Sequence, residues 1–333
     1  MPLHPTKGLR PFRNPYSLHS GGRRFCLLLF YQVMLMAQLL FIGSTVADVI
    51  IRTPRLPYTG DDVNITSQQV SLGGCAYNAF HTARITGLAE CMLFSPVGTG
   101  IWGDFVRNAL HQRGVTPAIP PVDVPNGCCY CLVEPDGERT FLCEHGAEYV
   151  FRPEWFDALP AFDGVYVCGL EIEEPTGEVI LDWLERHPPR RLYFAPGPRI
   201  LHIPPEKMAR LMALGAVFHL NEAEICHFTR CDDAAQAAQM LRSLTRSDVI
   251  VTLGDRGAYV LSDEGGSLIP GEPAQVVDTI GAGDAHIGAV MAHEAAGLPL
   301  AQAVARANRI SAAVVSQSGA ELSLEAYKRL LEE

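Results

Sequence analysis

The sequence is short of basic residues and has no long uninterrupted apolar run. It carries 26 Lys and Arg against 37 Asp and Glu, which gives a formal net charge of −11. Binding to nucleic acid depends on clustered basic side chains that contact phosphates, so this charge argues against a nucleic-acid partner. The apolar stretch that begins at Phe25 is interrupted by Gln32 and Gln38, and it is too short to span a bilayer. The sequence therefore predicts no membrane partner.

Several motifs of nucleotide-binding proteins are also absent. The sequence has no G-x-x-x-x-G-K-[ST] loop and neither an H-R-D nor a D-F-G motif, which excludes a P-loop kinase and a protein kinase. A G-x-G-x-x-G pattern does occur at residues 98–103. A dinucleotide-binding fold also needs an acidic residue at the end of the next strand, about twenty residues later. The one candidate, Asp123, follows a proline-rich stretch, so an NAD-dependent dehydrogenase is disfavoured.

The ten cysteines are dispersed through the chain. Disulfide-rich secreted proteins concentrate their cysteines in short chains, so this spacing indicates reduced thiols in a cytosolic protein. Cys128, Cys129 and Cys131, with Cys143 beyond them, would allow a metal site. The first three lie in an apolar run that has the pattern of a strand. We therefore interpret these cysteines as buried thiols that pack as small apolar groups, in preference to zinc ligands.

Short apolar runs alternate with helix-like stretches beyond Met36. This alternation predicts a doubly wound α/β fold, with a mostly parallel central sheet flanked by helices and a ligand crevice at the carboxyl ends of its strands. Residues 49–72 and 128–146 contain strand patterns and turns without a helix, so they predict a small β-sheet lid over the crevice. The predicted strands are 39–43, 91–97, 164–168, 191–194, 216–220 and 248–253. The predicted helices are 78–86, 103–112, 175–186, 205–214, 232–243, 283–296 and 300–315.

Residues 277–285 (Val-Asp-Thr-Ile-Gly-Ala-Gly-Asp-Ala) carry the strongest chemical signal. Small residues allow consecutive backbone amides at Gly281, Ala282 and Gly283 to point into one concavity, and the helix that follows adds its positive N-terminal end. This pattern predicts an anion-binding site. Asp284 would lie in the first helical turn, where it can accept the proton of an attacking hydroxyl group. A plain helix cap preceded by glycine is the simpler alternative.

Residues 278–285 resemble the signature of the ribokinase-like (PfkB) carbohydrate kinase family. Four other segments resemble the family and occur in the same order along the chain, so the probability that all five agree by chance is very small. The resemblance implies a ribokinase-like kinase that uses ATP to phosphorylate a hydroxyl group of a sugar or nucleoside. The four segments are residues 40–43 with Asp48, 73–78 (Gly-Gly-Cys-Ala-Tyr-Asn), 221–224 (Asn-Glu-Ala-Glu) and 252–258 (Thr-Leu-Gly-Asp-Arg-Gly-Ala).

The resemblance also implies roles for individual residues. Asp284 is implied as the catalytic base, and Gly281, Ala282 and Gly283 as the anion hole. Magnesium is implied near Asn221 and Glu224, through water, and a monovalent cation such as potassium near Asp278 and Gly319. The implied acceptor-binding residues are Asp48, Gly73, Gly74, Asn78 and Arg139. The implied nucleotide-binding residues are Asn221, Thr252, Gly254, Gly257, Thr279 and Asn308.

Three positions depart from the family pattern. His286 stands where Phe is usual, and we interpret it as a packing substitution, with a pH-sensitive neighbour of Asp284 as the alternative. Ala195 stands where the family often has an Asp of the magnesium and phosphate network. Ile280 replaces a common Thr of the signature.

The N-terminal segment differs in composition from the rest of the chain. The first 33 residues contain five basic and no acidic side chains, and Arg23 and Arg24 precede an apolar run that imitates a secretory signal. A kinase needs the ATP of the cytosol, so we expect a cytoplasmic protein. We interpret residues 1–36 as an extension outside the fold, with Met34 or Met36 as the working initiator, and residues 37–333 as the kinase domain.

The sequence leaves the acceptor and the catalytic status of the protein open. Lid and pocket side chains decide whether the acceptor is a sugar or a nucleoside, and no strongly basic cluster indicates a phosphate on it. A non-catalytic sensor that keeps the fold and the crevice is the alternative from another class, although such a protein has no need of a base. An exposed lid face often needs cover, so a homodimer through the lid is a further expectation.

Overall fold

The computed structural model of the protein describes residues 36–332, and the contacts between them group residues from Ala37 onward into one unit. The interpretation of residues 1–35 as an extension, and of Met34 as an initiator, lies outside the described residues. Within the described part of the chain, no helix is long and apolar enough to cross a membrane.

An eight-stranded sheet forms the centre of the fold, in the order β12-β11-β10-β9-β8-β7-β1-β4. Neighbouring strands from β10 to β4 run parallel, while β11 and β12 add an antiparallel hairpin at one edge. The predicted doubly wound, mostly parallel sheet is therefore confirmed. Its strands are β1 (Gln38–Ile42), β4 (Glu90–Phe94), β7 (Gly164–Cys168), β8 (Arg191–Ala195), β9 (Val217–Asn221), β10 (Val249–Thr252), β11 (Ala258–Ser262) and β12 (Gly265–Ile269).

Helices cover both faces of this sheet because successive residues of each strand point to opposite sides. On β1, Leu39 and Phe41 pack into one buried cluster, whereas Leu40 and Ile42 pack into the other. The first cluster includes residues of α1 (Cys75–Thr86), α2 (Gly100–Gln112), α8 (Ala282–Ala295), α9 (Leu300–Val315) and α10 (Leu324–Glu332). The second includes residues of α3 (Gly169–Glu173), α4 (Gly177–Arg186), α5 (Pro205–Ala213), α6 (Glu222–Thr229) and α7 (Ala234–Thr245).

A separate four-stranded sheet, in the order β3-β2-β5-β6, forms the lid. Its strands are β2 (Val46–Arg52), β3 (Ser67–Gly73), β5 (Cys128–Val133) and β6 (Arg139–Glu144). The central pair β2 and β5 is parallel, and both outer pairs are antiparallel. Ile50, Cys131 and Val133 on one face of the lid form a small buried cluster, against which Ile280 of the signature segment packs. The lid therefore lies over the segment that carries the predicted catalytic residues.

Candidate active site

The signature segment ends at the N-terminus of α8. Gly281 precedes the helix with a φ of 71°, a left-handed conformation that glycine adopts without cost, and a Cβ atom there would lie 2.3 Å from Cβ of Ala320. Ala282 and Gly283 begin the helix, and both line a cavity of about 580 Å³. Amides of a first helical turn have no acceptor within the helix; that of Ala282 makes one long bond, 3.4 Å, to the Thr279 carbonyl. The helix thus begins at Ala282, one residue before the predicted start at 283, and the anion hole stays a prediction.

Asp284 stands in the first turn of α8, and its surroundings favour the protonated carboxyl group. Its Oδ2 atom accepts a hydrogen bond of 3.0 Å from Nδ2 of Asn78, on the first turn of α1. Burial raises the pKa of Asp284 from 3.8 to about 7, hydrogen bonds from Asn78 and Cys75 offset part of that rise, and the nearby Glu224 adds to it. A carboxyl group with this pKa exchanges its proton near neutral pH, as a general base must.

Asp48 brings a second carboxyl group from lid strand β2. It lies so close to Gly73, the last residue of β3, that a Cβ atom on Gly73 would stand 1.8 Å from Oδ2 of Asp48. Burial, and then the charges of Asp284 and Cys143, raise the pKa of Asp48 to about 7. Gly74 follows directly and caps the helix that presents Asn78. The structure thus brings together four of the predicted acceptor-binding residues beside Asp284.

Glu171 of α3 is a residue that sequence reasoning missed. Its side chain is fully buried, and Oε1 accepts a 2.7 Å hydrogen bond from the backbone N–H of Ser44, between β1 and β2. Within residues 36–332 its Oε2 atom has no hydrogen-bond partner, and burial raises its pKa to about 7. A buried carboxylate oxygen without a partner is costly unless a ligand supplies one. The only signal in the sequence was a Glu three residues after a buried strand that ends at Cys168.

The cavity beside α8 gathers five of the six predicted nucleotide-binding residues, and Asn221 is not among the residues that line it. Thr252, Gly254 and Gly257 line it from the end of β10 and the turn after it, and Thr279 and Asn308 line it from the signature segment and α9. Asn308 is the one residue of α9 that was predicted from the sequence, but one face of that helix contributes further lining residues. Spacings of three, four and seven residues repeat on one side of a helix. The additional lining residues of α9 are Ser311, Ala312 and Val315.

A chain of hydrogen bonds from the core ends at Asn308 in this cavity. The Asn308 amide donates to the carbonyls of Ile269 and Pro270 at 3.2 and 2.9 Å, so its Oδ1 accepts the 3.0 Å bond from Nε2 of His286. Nδ1 of His286 is then the acceptor for Nε2 of His219, 2.9 Å away on β9. Burial lowers the pKa of His286 to about 4 and also lowers that of His219. The neutral pair fixes the orientation of the Asn308 amide.

Asn221 and Glu224 form a capping box at the start of α6. Nδ2 of Asn221 donates to Oε1 of Glu224 at 2.9 Å, and the Glu224 backbone N–H donates to Oδ1 of Asn221 at 2.8 Å. Burial raises the pKa of Glu224. Within residues 36–332 neither Glu224 nor Asp284 forms a salt bridge with a basic side chain. Two neighbouring carboxyl groups without a cationic partner suit a divalent cation held through oxygen atoms and water.

Asp278 has a cationic partner already. Its Oδ1 atom accepts 2.7 Å from Arg139, at the start of lid strand β6, and 2.9 Å from the Ile280 backbone, while Oδ2 accepts 3.1 Å from the Gly319 backbone. Arg139 also donates to Oγ1 of Thr279 at 2.7 Å. The structure therefore brings Asp278 and Gly319 together as predicted for a cation loop, but it places the Arg139 guanidinium there and pairs it with Asp278.

The glycine-rich loop at residues 98–103 serves the fold. Gly98 packs so tightly that a Cβ atom would lie 2.2 Å from the Val124 carbonyl, and Asn126 accepts a 2.9 Å hydrogen bond from its backbone N–H. Asp123 lies in an irregular segment, and no strand lies between α2 and this residue. A dinucleotide-binding fingerprint needs its acidic residue at the end of such a strand, so Asp123 does not match it.

Comparison with known proteins agrees with this arrangement. A profile of the family described as pfkB family carbohydrate kinase matches residues 36–326. The Escherichia coli (strain K12) protein described as "Uncharacterized sugar kinase YegV" is 35% identical over 308 residues, covering 91% of this chain and 95% of that protein.

Solved structures share the fold at lower sequence identity. Ribokinase from Thermotoga maritima superposes with a TM-score of 0.78 at 20% identity, covering 90% of this chain and 100% of that one. Aminoimidazole riboside kinase from Salmonella enterica, solved with aminoimidazole riboside and an ATP analog, gives a TM-score of 0.72 at 23% identity, covering 89% of this chain and 99% of that one.

Proposed function

Because the chain belongs to the pfkB family of carbohydrate kinases, we propose that it transfers the γ-phosphoryl group of ATP to a hydroxyl group of a sugar or a nucleoside. The observation that carries this proposal is the 3.0 Å hydrogen bond between Asn78 and Asp284. It joins the polar residues around Asp48 to the helix whose first turn lines the large cavity. One carboxyl group thus stands between two sites, as transfer between two bound molecules requires.

The cavity is the proposed site for ATP. Its volume of about 580 Å³ is in the range of small-molecule sites, roughly 300–1,000 Å³. The amides of Gly281, Ala282 and Gly283 would stabilise negative charge on the phosphoryl group during transfer, aided by the N-terminal end of α8. Asn308 would line the ATP site with an amide whose orientation His286 fixes.

The polar residues on the other side of Asp284 are the proposed acceptor site. Asp48, Asn78 and Glu171 would bind hydroxyl groups, since ionised carboxyl groups accept hydrogen bonds and the amide can donate or accept. Asp284 in its ionised form would take the proton of the attacking hydroxyl group. Arg139 is held by Asp278 on the same side of the lid, so a direct contact with the acceptor would require that ion pair to open.

Glu224 and Asn221 are the residues that would hold magnesium, through water. When bound, the ion neutralises charge on the phosphates as the phosphoryl group moves. The site around Asp278 and Gly319 fits potassium less well, because the Arg139 guanidinium already balances the charge of Asp278. We therefore assign potassium no step in the reaction.

Two expectations about the whole protein remain proposals. Dependence on ATP favours the cytoplasm as its location. The exposed side chains of Phe141 and Leu142 on the edge strand β6 support a homodimer through the lid.

Release of ADP in the presence of a panel of sugars and nucleosides tests the proposed function. We expect one acceptor class to stimulate ADP release by the full-length protein, and Asp284→Asn to reduce that stimulation at least about 100-fold. Calorimetry with the same panel separates binding from turnover. Tight binding of an acceptor without ADP release, in the presence of ATP and magnesium, would identify a sensor and reject the kinase.

A further inference from the structure

Three polar side chains form a row across the inner face of the lid. Asp48 on β2 pairs with Cys129 on β5, and Cys129 pairs in turn with Cys143 on β6. Residues that pair across neighbouring strands point to the same face of a sheet. Asp48 and the two thiols therefore share the lid face that carries Ile50 and Cys131, and this face packs against Ile280.

The two thiols are close enough to interact directly. Their sulfur atoms lie 3.4 Å apart and are joined by a hydrogen bond. That hydrogen bond, with help from His145 and Arg199, lowers the pKa of Cys143 to about 6 despite partial burial, while the same hydrogen bond and burial raise the pKa of Cys129. Cys143 is exposed to solvent, so the pair combines a reactive thiolate with a neighbouring thiol.

The backbone geometry allows a bond between them. Directly opposed residues of an antiparallel pair have Cα atoms about 4.5–5.5 Å apart, inside the range of roughly 4.4–6.8 Å that disulfides span. Closing the sulfur–sulfur distance from 3.4 Å to a bond length of about 2.05 Å then needs rotation of the side chains and a small approach of the strands.

We infer that Cys129 and Cys143 form a redox-active dithiol, a modification site inside the crevice that peroxides convert reversibly to an intrachain disulfide. The Cys143 thiolate attacks one oxygen of hydrogen peroxide, the O–O bond breaks, and hydroxide leaves, giving a sulfenic acid. Cys129 sulfur then attacks the Cys143 sulfur, the S–O bond breaks, and the thiol proton leaves with the hydroxyl group as water. In total, two thiols lose two hydrogen atoms and one peroxide becomes two waters. A dithiol reductant reverses the change by exchange.

Formation of the disulfide changes the electrostatic environment of the Asp48 carboxyl group. The Cys143 charge raises the pKa of Asp48, and a disulfide removes that charge while drawing β6 toward β5. This consequence rests on the proposed function, in which Asp48 binds the acceptor. We expect oxidation to raise the KM for the acceptor about three- to tenfold, with a smaller change in the KM for ATP.

Peptide mapping of the full-length protein tests the modification itself, without any assay of turnover. After a near-stoichiometric dose of hydrogen peroxide, remaining thiols are alkylated and the protein is digested without reduction. We expect a linked peptide containing Cys129 and Cys143, which separates on reduction, while the other cysteines stay alkylated. Cys143→Ser should abolish the link, and Cys129→Ser should stop the reaction at a sulfenic acid that dimedone traps. Cys226→Ser, outside the lid, should leave the link intact.

Several results would overturn the inference. Oxidation that reaches the remaining cysteines at the same rate as Cys143, or a linked peptide that joins other cysteines, would reject the dithiol. So would a sulfenic acid on Cys143 that persists in the wild-type protein. An intact linked peptide together with an unchanged KM for the acceptor would reject the coupling to Asp48. If no acceptor is phosphorylated at all, the proposed function fails while the mapped disulfide still stands.

Discussion

Asp284 is buried, has a raised pKa and accepts a hydrogen bond from Asn78. One substitution tests whether it acts as the catalytic base. Asp284→Asn keeps the shape and the contact with Asn78 but removes the base. We expect kcat to fall at least about 100-fold, the usual contribution of a general base, with little change in the KM for ATP. Because the base must be ionised and its pKa is about 7, kcat of the wild-type protein should fall as the pH drops below 7.

Steady-state kinetics between pH 5.5 and 8.5 measure both effects. The residual activity of Asp284→Asn should lack the acidic limb of the wild-type profile. Asn78→Ala is the matched comparison, because it removes the hydrogen bond and leaves the carboxyl group in place. A pH profile shared by Asp284→Asn and the wild type would show that another group titrates.

His286 holds Asn308 in place, which goes beyond the packing role predicted from the sequence. His286→Phe preserves volume but leaves Nε2 of His219 and Oδ1 of Asn308 without their partners. A buried polar group without a partner costs about 1–3 kcal/mol, so we expect a loss of stability of that order together with a higher KM for ATP. His293→Phe, on the same helix but outside the cavity, should lower stability without changing the KM for ATP.

The positions of the candidate site residues were predictable where a short sequence pattern fixes the backbone. Gly281 and Asp284 follow from a glycine-bearing turn before a helix, and Asn78 from the start of another helix. Glu171 and His219 were missed because each depends on a partner distant in sequence, Ser44 for one and His286 for the other. A local pattern carries no information about which buried polar groups meet across the sheet.

At the scale of elements, the ion pair between Arg139 and Asp278 connects the lid to the signature segment. Asp278 is only 6% exposed, so loss of its cationic partner leaves a buried charge uncompensated. We expect Arg139→Ala to lower kcat/KM for the acceptor about tenfold or more. We also expect potassium chloride, compared with tetramethylammonium chloride at equal ionic strength, to restore part of that loss, because a small cation can then approach Asp278. The wild-type protein should respond less to potassium than the variant.

Arg55→Ala is the matched control, since that Arg forms an exposed ion pair with Asp61 in the segment that connects two lid strands. Exposed pairs contribute about 0–1 kcal/mol, so this variant should behave as the wild type. Equal activation of the wild type and Arg139→Ala by potassium would contradict the idea that the guanidinium balances Asp278.

Strands that are buried on both faces were predicted well from the sequence. An edge hairpin and a mostly exposed helix were not. The six predicted strands of the central sheet match β1, β4, β7, β8, β9 and β10 to within a few residues, because both sides of these strands are apolar. The hairpin of β11 and β12 was missed, since β12 is a glycine-rich edge strand with four exposed residues of five. Helix α6 was missed because only one of its eight residues, Ile225, is fully buried.

At the scale of the whole molecule, the site makes stability depend on pH. Asp48, Glu171 and Asp284 each have a pKa raised to about 7 in the folded state, so folded protein binds more protons than unfolded protein between their ordinary values and 7. Stability from these groups therefore rises as the pH falls through 7. His219 and His286, with lowered pKa values, act in the opposite sense below their ordinary value of 6.5.

We expect the free energy of unfolding in urea to be about 1–2 kcal/mol higher at pH 6.5 than at pH 8, since one pKa unit corresponds to about 1.4 kcal/mol. Asp284→Asn should reduce this difference by raising stability at pH 8. Stability that is flat or lower at pH 6.5 would show that the three carboxyl groups are already ionised in the folded protein.

The small buried cluster of the lid also predicts where the molecule opens first. Ile50, Cys131 and Val133 form that cluster, whereas the clusters on the two faces of the central sheet are far larger. Regions with few buried apolar contacts open at a lower free energy than regions in a large core. We therefore expect the lid to open before the central sheet. Amide hydrogens of β2, β5 and β6 should exchange with solvent faster than those of β1 and β7, although all five are strands.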